Sequence, residues 1–278
     1  MSFGSRRKIV AEKGRGDLSM KKILITGGPT NEYIDEVMKI TNMSSGKIAI
    51  ELANLFADDG WEVTLLLTKG IKNQNLDAFA IKKNCALIRF ETTDELYNLL
   101  KEASEIKQDV IIHSAAVADY KPEFSFLLEN MAEEIVNFVH HNRNMSRDDL
   151  MAEILNIMQN PQCKIYDGSK ISSMERNLTV KLGLTPKIIR SLREWYPDTL
   201  ICGFKLLENV PQEELIEAAM HQLEKCNTDI VFANDLAELR KGNLARLVVT
   251  KQGYHNIKVD GANGIFHLIK IATYDFES

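Results

Sequence analysis

Several familiar sequence signals are missing from this chain of 278 residues, and each absence closes off a class of function. No apolar run reaches the roughly eighteen residues that a membrane-spanning helix needs. The formal charge of −5 argues against broad nucleic-acid binding, while leaving room for a local basic pocket that would take anionic small molecules. The four cysteines, Cys85, Cys163, Cys202 and Cys226, lie far apart without C-x-x-C spacing and read as free thiols of a reducing cytoplasm. Cys202, inside an apolar run, reads as a small core residue. Neither G-x-G-x-x-G nor G-x-x-x-x-G-K-[ST] occurs, because Gly46-Lys47 is followed by Ile48. There is no His-based triad and no metal-ligand cluster. His140 and His141 are adjacent, so their side chains diverge on a helix and no metal site is expected there. No internal repeat or low-complexity linker divides the chain.

What is present starts with residues 21–53. The apolar run Ile23-Leu24-Ile25, bounded by Gly27-Gly28, reads as a buried parallel strand. Ile48, Ile50, Leu52, Ala53 and Leu55 read as the following amphipathic helix. The connecting loop of about fifteen residues is long for such a unit, and long loops in compact domains are often functional. It carries Asn42 and the run Ser44-Ser45-Gly46-Lys47. A strand, a small-residue turn and a helix N-terminus make a natural phosphate seat, since free N–H groups and the helix dipole favour negative charge there. The plainer reading is that Ser44 or Ser45 caps the helix.

Further along, residues 61–67, 86–90, 109–113, 200–204 and 229–233 read as strands, and helical patterns fall between them. Thr93-Asp94 caps one helix, and Pro211 opens an acidic one running to Lys225. Thr185-Pro186 is an Ncap–N1 pair before Ile188, Ile189 and Leu192, and that N-terminus offers another anion or base-edge site. The alternation predicts an α/β fold: a Rossmann-like, doubly wound, mostly parallel sheet with ligands beyond the strand C-termini. Residues 246–251 and 254–259 alternate around Gln252-Gly253 as a C-terminal β-hairpin. Between residues 123 and 167, Phe126, Leu127, Met131, Ile135, Phe138 and Val139 recur at helical spacing, and Ser146 to Asp149 resembles a capping box. This stretch reads as a helical insertion serving as a lid, a dimer arm or ornament. Residues 1–19 lack the apolar stretch of a secretory signal and read as a disordered leader or expression remnant. Residues 20–278 then form a single α/β domain.

The loop and four later stretches carry a resemblance. GGPTNEYID and ITNMSSGK, followed in order by SAAVADYKP at 114–122, SKISS at 169–173, GFKLLENV at 203–210 and FANDL at 232–236, resemble phosphopantothenoylcysteine synthetase, in its stand-alone bacterial form. The resemblance implies a ligase of coenzyme A biosynthesis. It would join 4′-phosphopantothenate to cysteine through an acyl-nucleotidyl intermediate, using CTP rather than ATP, with Mg²⁺ arriving on the triphosphate and a homodimer as the assembly. By the same likeness Gly28, Ser44 and Gly46 line the nucleotide phosphates, and Asn42 orients the acyl carbonyl. Ala115, Ala116 and Asp119 border substrate and base, Lys170 neutralises triphosphate charge, and Pro186 and Ile188 lie at a nucleotide-contacting turn. Phe204, either core or a stacking ring, and Asn234 complete the nucleotide pocket.

The chain also departs from that pattern. Met38 stands where many members carry an arginine that reaches the partner's substrate phosphate. Its neighbour Lys39 is the nearest substitute, without the bidentate fork. Ala49 replaces a common glycine, and Lys225 is the nearest match to lysines of the helix before the last strand. Two rival classes remain open on sequence alone: an NAD(P)-dependent reductase, disfavoured by the missing glycine fingerprint, and a non-catalytic nucleotide-binding module.

Overall fold

The computed structural model describes residues 20–165, 171 and 176–277. Lys170, most of the SKISS run and residues 1–19 lie outside them. Six parallel strands form the centre, numbered along the chain: β1 (Lys22–Gly27), β4 (Glu62–Thr68), β5 (Cys85–Phe90), β6 (Val110–His113), β9 (Leu200–Leu207) and β10 (Ile230–Asp235). The antiparallel β11 (Ala245–Thr250) and β12 (Gly253–Asp260) extend one edge, giving the order β12-β11-β10-β9-β6-β1-β4-β5. The chain reverses direction across the sheet between β1 and β6, the topological switch point where doubly wound sheets open a crevice at their carboxyl ends.

The apolar runs follow from burial on both faces. Ile23 and Ile25 enter one core with α1 (Lys47–Asp58) and α9 (Gly261–Glu277), while Leu24 enters the other with α3 (Thr93–Ala103) and α6 (Ile188–Trp195). Cys202 and Phe232 join the first core, both 0 % exposed. Burial pushes the Cys202 thiol far up, so it packs as a small apolar residue. Ala49 sits on the bare Cα of Gly27, where an added Cβ would come within 2.3 Å of Ala49 Cβ. Helix α1 and strand β1 therefore meet closely despite the missing glycine at position 49.

Several elements differ from the sequence expectations. Phe126 and Leu127 lie on β7 (Tyr120–Leu127), which pairs antiparallel with β8 (Leu178–Leu184) in a separate two-stranded ribbon. The insertion is thus a ribbon carrying α4 (Leu128–His141) and α5 (Arg147–Gln159) rather than two helices alone. Ser146 does cap α5, accepting from Asp149 N–H at 3.2 Å. Thr92, one residue earlier than expected, caps α3 by accepting from Glu95 N–H. Thr185 caps nothing: its hydroxyl donates to Ala118 O, and Lys187 occupies the cap position of α6. The long β1–α1 loop contains a small hairpin, β2 (Asn31–Tyr33) with β3 (Lys39–Thr41). Helices α2 (Gln74–Ala80), α7 (Gln212–Cys226) and α8 (Leu236–Arg240) complete the fold.

Candidate functional site

At the switch point the loops leaving β1 and β6 are zipped together. Ser114 Oγ donates to Thr26 O at 2.7 Å, Ala116 N–H to Gly28 O at 2.9 Å, and Thr30 N–H to Ala116 O at 3.3 Å. Gly28 holds φ +80°, and a Cβ there would meet Thr68 Oγ1 at 2.5 Å, so only glycine fits. Asn42 is tied to the same strand end: its Nδ2 donates to Ala116 O at 3.2 Å and Val117 O at 3.1 Å. Asn42 itself is exposed and lies outside the lining of the cavity described below.

Gly46, at φ +66°, is the cap residue of α1, and no side chain caps that helix. Ser44 Oγ and Ser45 Oγ accept from Gly46 N–H and Lys47 N–H only at 3.4 Å. The serines therefore shape the turn without closing the N-terminus, which keeps its attraction for an anion.

A cavity of about 390 Å³ opens beside this turn, a volume within the range of small-molecule sites. It gathers Ser44, Gly46, Ala115, Ala116, Phe204 and Asn234, six of the residues singled out in the sequence. Phe204 is half-buried, its ring 5.3 Å from that of Phe232, and one side faces the cavity. Asn234 is 8 % exposed at the end of β10. Lys47 and Glu51 flank the opening and pair with each other at 3.7 Å.

Other sequence candidates lie elsewhere. Asp119 is exposed, outside the cavity lining, and ion-paired with Lys187. Ile188 is 1 % exposed in the core, and its N–H donates to Pro186 O at 3.0 Å, so it has neither side chain nor amide to offer a nucleotide. Pro186 contributes its carbonyl to that turn. Lys39 is directed to Glu91 at 3.3 Å and over the Tyr33 ring at 5.8 Å, outside the cavity lining. Lys225 is exposed near the end of α7 and is absent from the cavity wall.

The structure adds one residue that sequence reasoning passed over. Arg246 lines the cavity from β11 and is 8 % exposed. Burial lowers its pKa against the pull of Asp260 and Glu51. The available signal was its register: Arg246 alternates with Val248, which faces the core, so a charged side chain occupies an inward position. His113, at the end of β6, is 7 % exposed with Nδ1 3.0 Å from Thr26 Oγ1, and burial pulls its pKa down to about 4. It is neutral at physiological pH and structural. Among the described residues no cluster of His, Cys, Asp and Glu could hold a metal, and no helix is long and apolar enough to cross a membrane.

Residues 18–127 match the family described as the DNA/pantothenate metabolism flavoprotein C-terminal domain. The coenzyme A biosynthesis bifunctional protein CoaBC of Methanocaldococcus jannaschii is 29 % identical over 259 residues, covering 92 % of this chain and 51 % of the relative. That of Thermococcus kodakarensis is 31 % identical over 220 residues, covering 79 % of this chain and 42 % of the relative. The chain thus spans about half the length of these curated relatives. The crystal structure of the DNA/pantothenate metabolism flavoprotein from Streptococcus pneumoniae superposes with TM-score 0.69 at 29 % identity, covering 92 % of this chain and all of that one. Motifs, fold and relatives agree, and the chain's resemblance to phosphopantothenoylcysteine synthetase is thereby established.

Proposed function

We propose that the chain is a phosphopantothenate–cysteine ligase of coenzyme A biosynthesis, and that the switch-point cavity is where its nucleoside triphosphate binds. The single observation that carries this reading is the convergence of Ser44, Gly46, Ala115, Ala116, Phe204 and Asn234 on one cavity, from four separate motifs of the resemblance. An amine does not usefully attack a carboxylate until one carboxylate oxygen becomes part of a good leaving group. In the proposed reaction a carboxylate oxygen of 4′-phosphopantothenate attacks the α-phosphorus of the triphosphate, and pyrophosphate leaves. The amine of cysteine then attacks the acyl carbon of the mixed anhydride, and the nucleoside monophosphate leaves as the amide forms.

The residues have matching tasks. The α1 N-terminus at Ser44–Gly46, backed by the Gly28 turn, attracts the phosphate chain. Ala115 and Ala116 let substrate approach the backbone, and Asn42 Oδ1 orients the acyl centre. Phe204 supplies a stacking face for the base and Asn234 a polar edge. Asp119, paired with Lys187 outside the cavity lining, keeps a place in this reading by resemblance alone. Lys170 belongs to the same reading as a phosphate cation, although it lies outside the described residues. The cavity wall holds one carboxylate, Glu51, so Mg²⁺ fits as an ion carried on the triphosphate with most of its waters retained. CTP as the nucleotide, a homodimer and a cytoplasmic location complete the reading. The experiment is pyrophosphate release with CTP, ATP, GTP and UTP in turn. Release is expected with CTP only when 4′-phosphopantothenate is present, and amide only when cysteine is added. Tight CTP binding with no pyrophosphate under any combination would mark a non-catalytic module instead.

A further inference from the structure

Arg246 has no use in the fold that the rest of the structure accounts for. One guanidinium nitrogen, Nη1, donates to Leu244 O at 2.9 Å. Nε is buried without a hydrogen-bond partner, and Arg246 forms no ion pair among the described residues. A guanidinium carries five donors in a rigid fork; here Nε is shut away from water without a partner, and Nη2 bonds to no protein group among the described residues. Leaving a buried charge without a partner is destabilising, and such groups are ordinarily paired. The charge also has a direction, because Arg246 is part of the wall of the cavity that holds Ser44, Gly46 and Lys47. Two helices of twelve and seventeen residues, α1 and α9, begin on that wall at Gly46 and Gly261. The one carboxylate there, Glu51, already has Lys47 as its partner.

We infer that Arg246 is a phosphate-holding residue of this cavity, its free guanidinium edge binding an oxyanion that the α1 N-terminus holds from the other side. The inference rests on the ligase reading for the identity of its ligands, and it names a cation that the family resemblance did not supply. Two substrates carry the chemistry, the nucleoside triphosphate and 4′-phosphopantothenate. Charge-assisted bonds to a planar fork are among the stronger polar contacts, so losing them should be plain in affinity.

The test compares wild type, Arg246→Met and Arg246→Lys by calorimetric titration with CTP, pyrophosphate, 4′-phosphopantothenate and cytidine, together with the thermal midpoint of each unliganded protein. Arg246→Met should weaken at least one phosphorylated ligand by roughly tenfold or more and leave cytidine unchanged, with Arg246→Lys intermediate because it keeps charge and loses the fork. Loss on CTP and pyrophosphate assigns the contact to the triphosphate, and loss confined to 4′-phosphopantothenate assigns it to that phosphate. The unliganded Arg246→Met protein should melt close to wild type, since the desolvation of the buried guanidinium, which outweighs the pull of Asp260 and Glu51, is removed with it. Equal affinity of all variants for every phosphorylated ligand overturns the inference. So does an Arg246→Lys protein that binds normally beside an Arg246→Met protein that no longer folds. Either result leaves the ligase reading standing, because pyrophosphate release by the wild-type chain decides that separately.

Discussion

The strands beneath the cavity and the arm that leaves the sheet at Tyr120 bury their apolar residues very differently. Under the rim, Ile23, Ile25, Cys202 and Phe232 are 0 % exposed in the core that α1 and α9 cover, and Leu24 is equally buried on the other face. In the arm, α4 buries Met131 and α5 buries nothing, while Leu128, Val136, Met151, Leu155 and Met158 are exposed. A small cluster of Phe124, Phe126 and Met131 is the arm's own core. The difference teaches where position is fixed. A polyanion site needs donors held in place before the ligand arrives, and only the sheet rim provides that rigidity. The arm has a wide apolar face, the composition expected where a second surface meets it.

The contrast breaks first at Asp229, which ties β9 to β10 at their N-terminal ends, the edge of the sheet opposite the rim. It takes Arg193 Nη2 and Lys251 Nζ, each at 2.6 Å, and Ile201 N–H at 2.8 Å. Asp229→Ala leaves a largely buried arginine unpaired and should cost about 3–5 kcal/mol in urea unfolding. A cost below about 1 kcal/mol would remove the rigid sheet beneath the cavity from the argument.

His113 gives the next largest effect. Its folded pKa of about 4 lies below the ordinary value of 6.5, so between those limits the unfolded chain binds a proton that the native one refuses. Stability contributed by the neutral ring is complete above pH 6.5 and falls as acid is added, by on the order of 3 kcal/mol down to pH 4. His113→Gln should flatten this part of the pH profile, and an unchanged slope would show that other groups set it.

The smallest effect is expected on the arm. Leu155→Ser, 49 % exposed on α5, should change monomer stability by no more than about 0.5 kcal/mol. A loss above about 2 kcal/mol would mean that α5 is packed in solution as firmly as the rim. Sedimentation of the same variant reports whether the exposed face joins two copies of the chain.

Much of the rim was legible because it depends on short-range chemistry. Continuous apolar runs marked strands buried on both faces, and Gly28, Gly46 and the paired alanines marked places where backbone comes close to something. The arm was misread because Phe126 and Leu127 satisfy a helical spacing and a strand equally well, and a short apolar run does not distinguish them. Thr185 was read as a cap since Thr-Pro is a common start, yet its hydroxyl found the Ala118 carbonyl, a partner 67 positions away. Asp119 was given to substrate and base by likeness, and its ion pair with Lys187, on another element, is a long-range contact of the same kind. Arg246 escaped because an arginine at a strand start usually faces water, and only the inward register of Val248 places it otherwise.

The central claim is that the rim cavity turns an inert acid into a mixed anhydride with a nucleotide. The most direct measurement uses 4′-phosphopantothenate labelled with ¹⁸O in its carboxylate, with CTP and cysteine, and mass spectrometry of the released phosphates. One labelled oxygen should appear in the cytidine monophosphate and none in the pyrophosphate. Label recovered in inorganic phosphate, with CDP as the other product, would contradict the account.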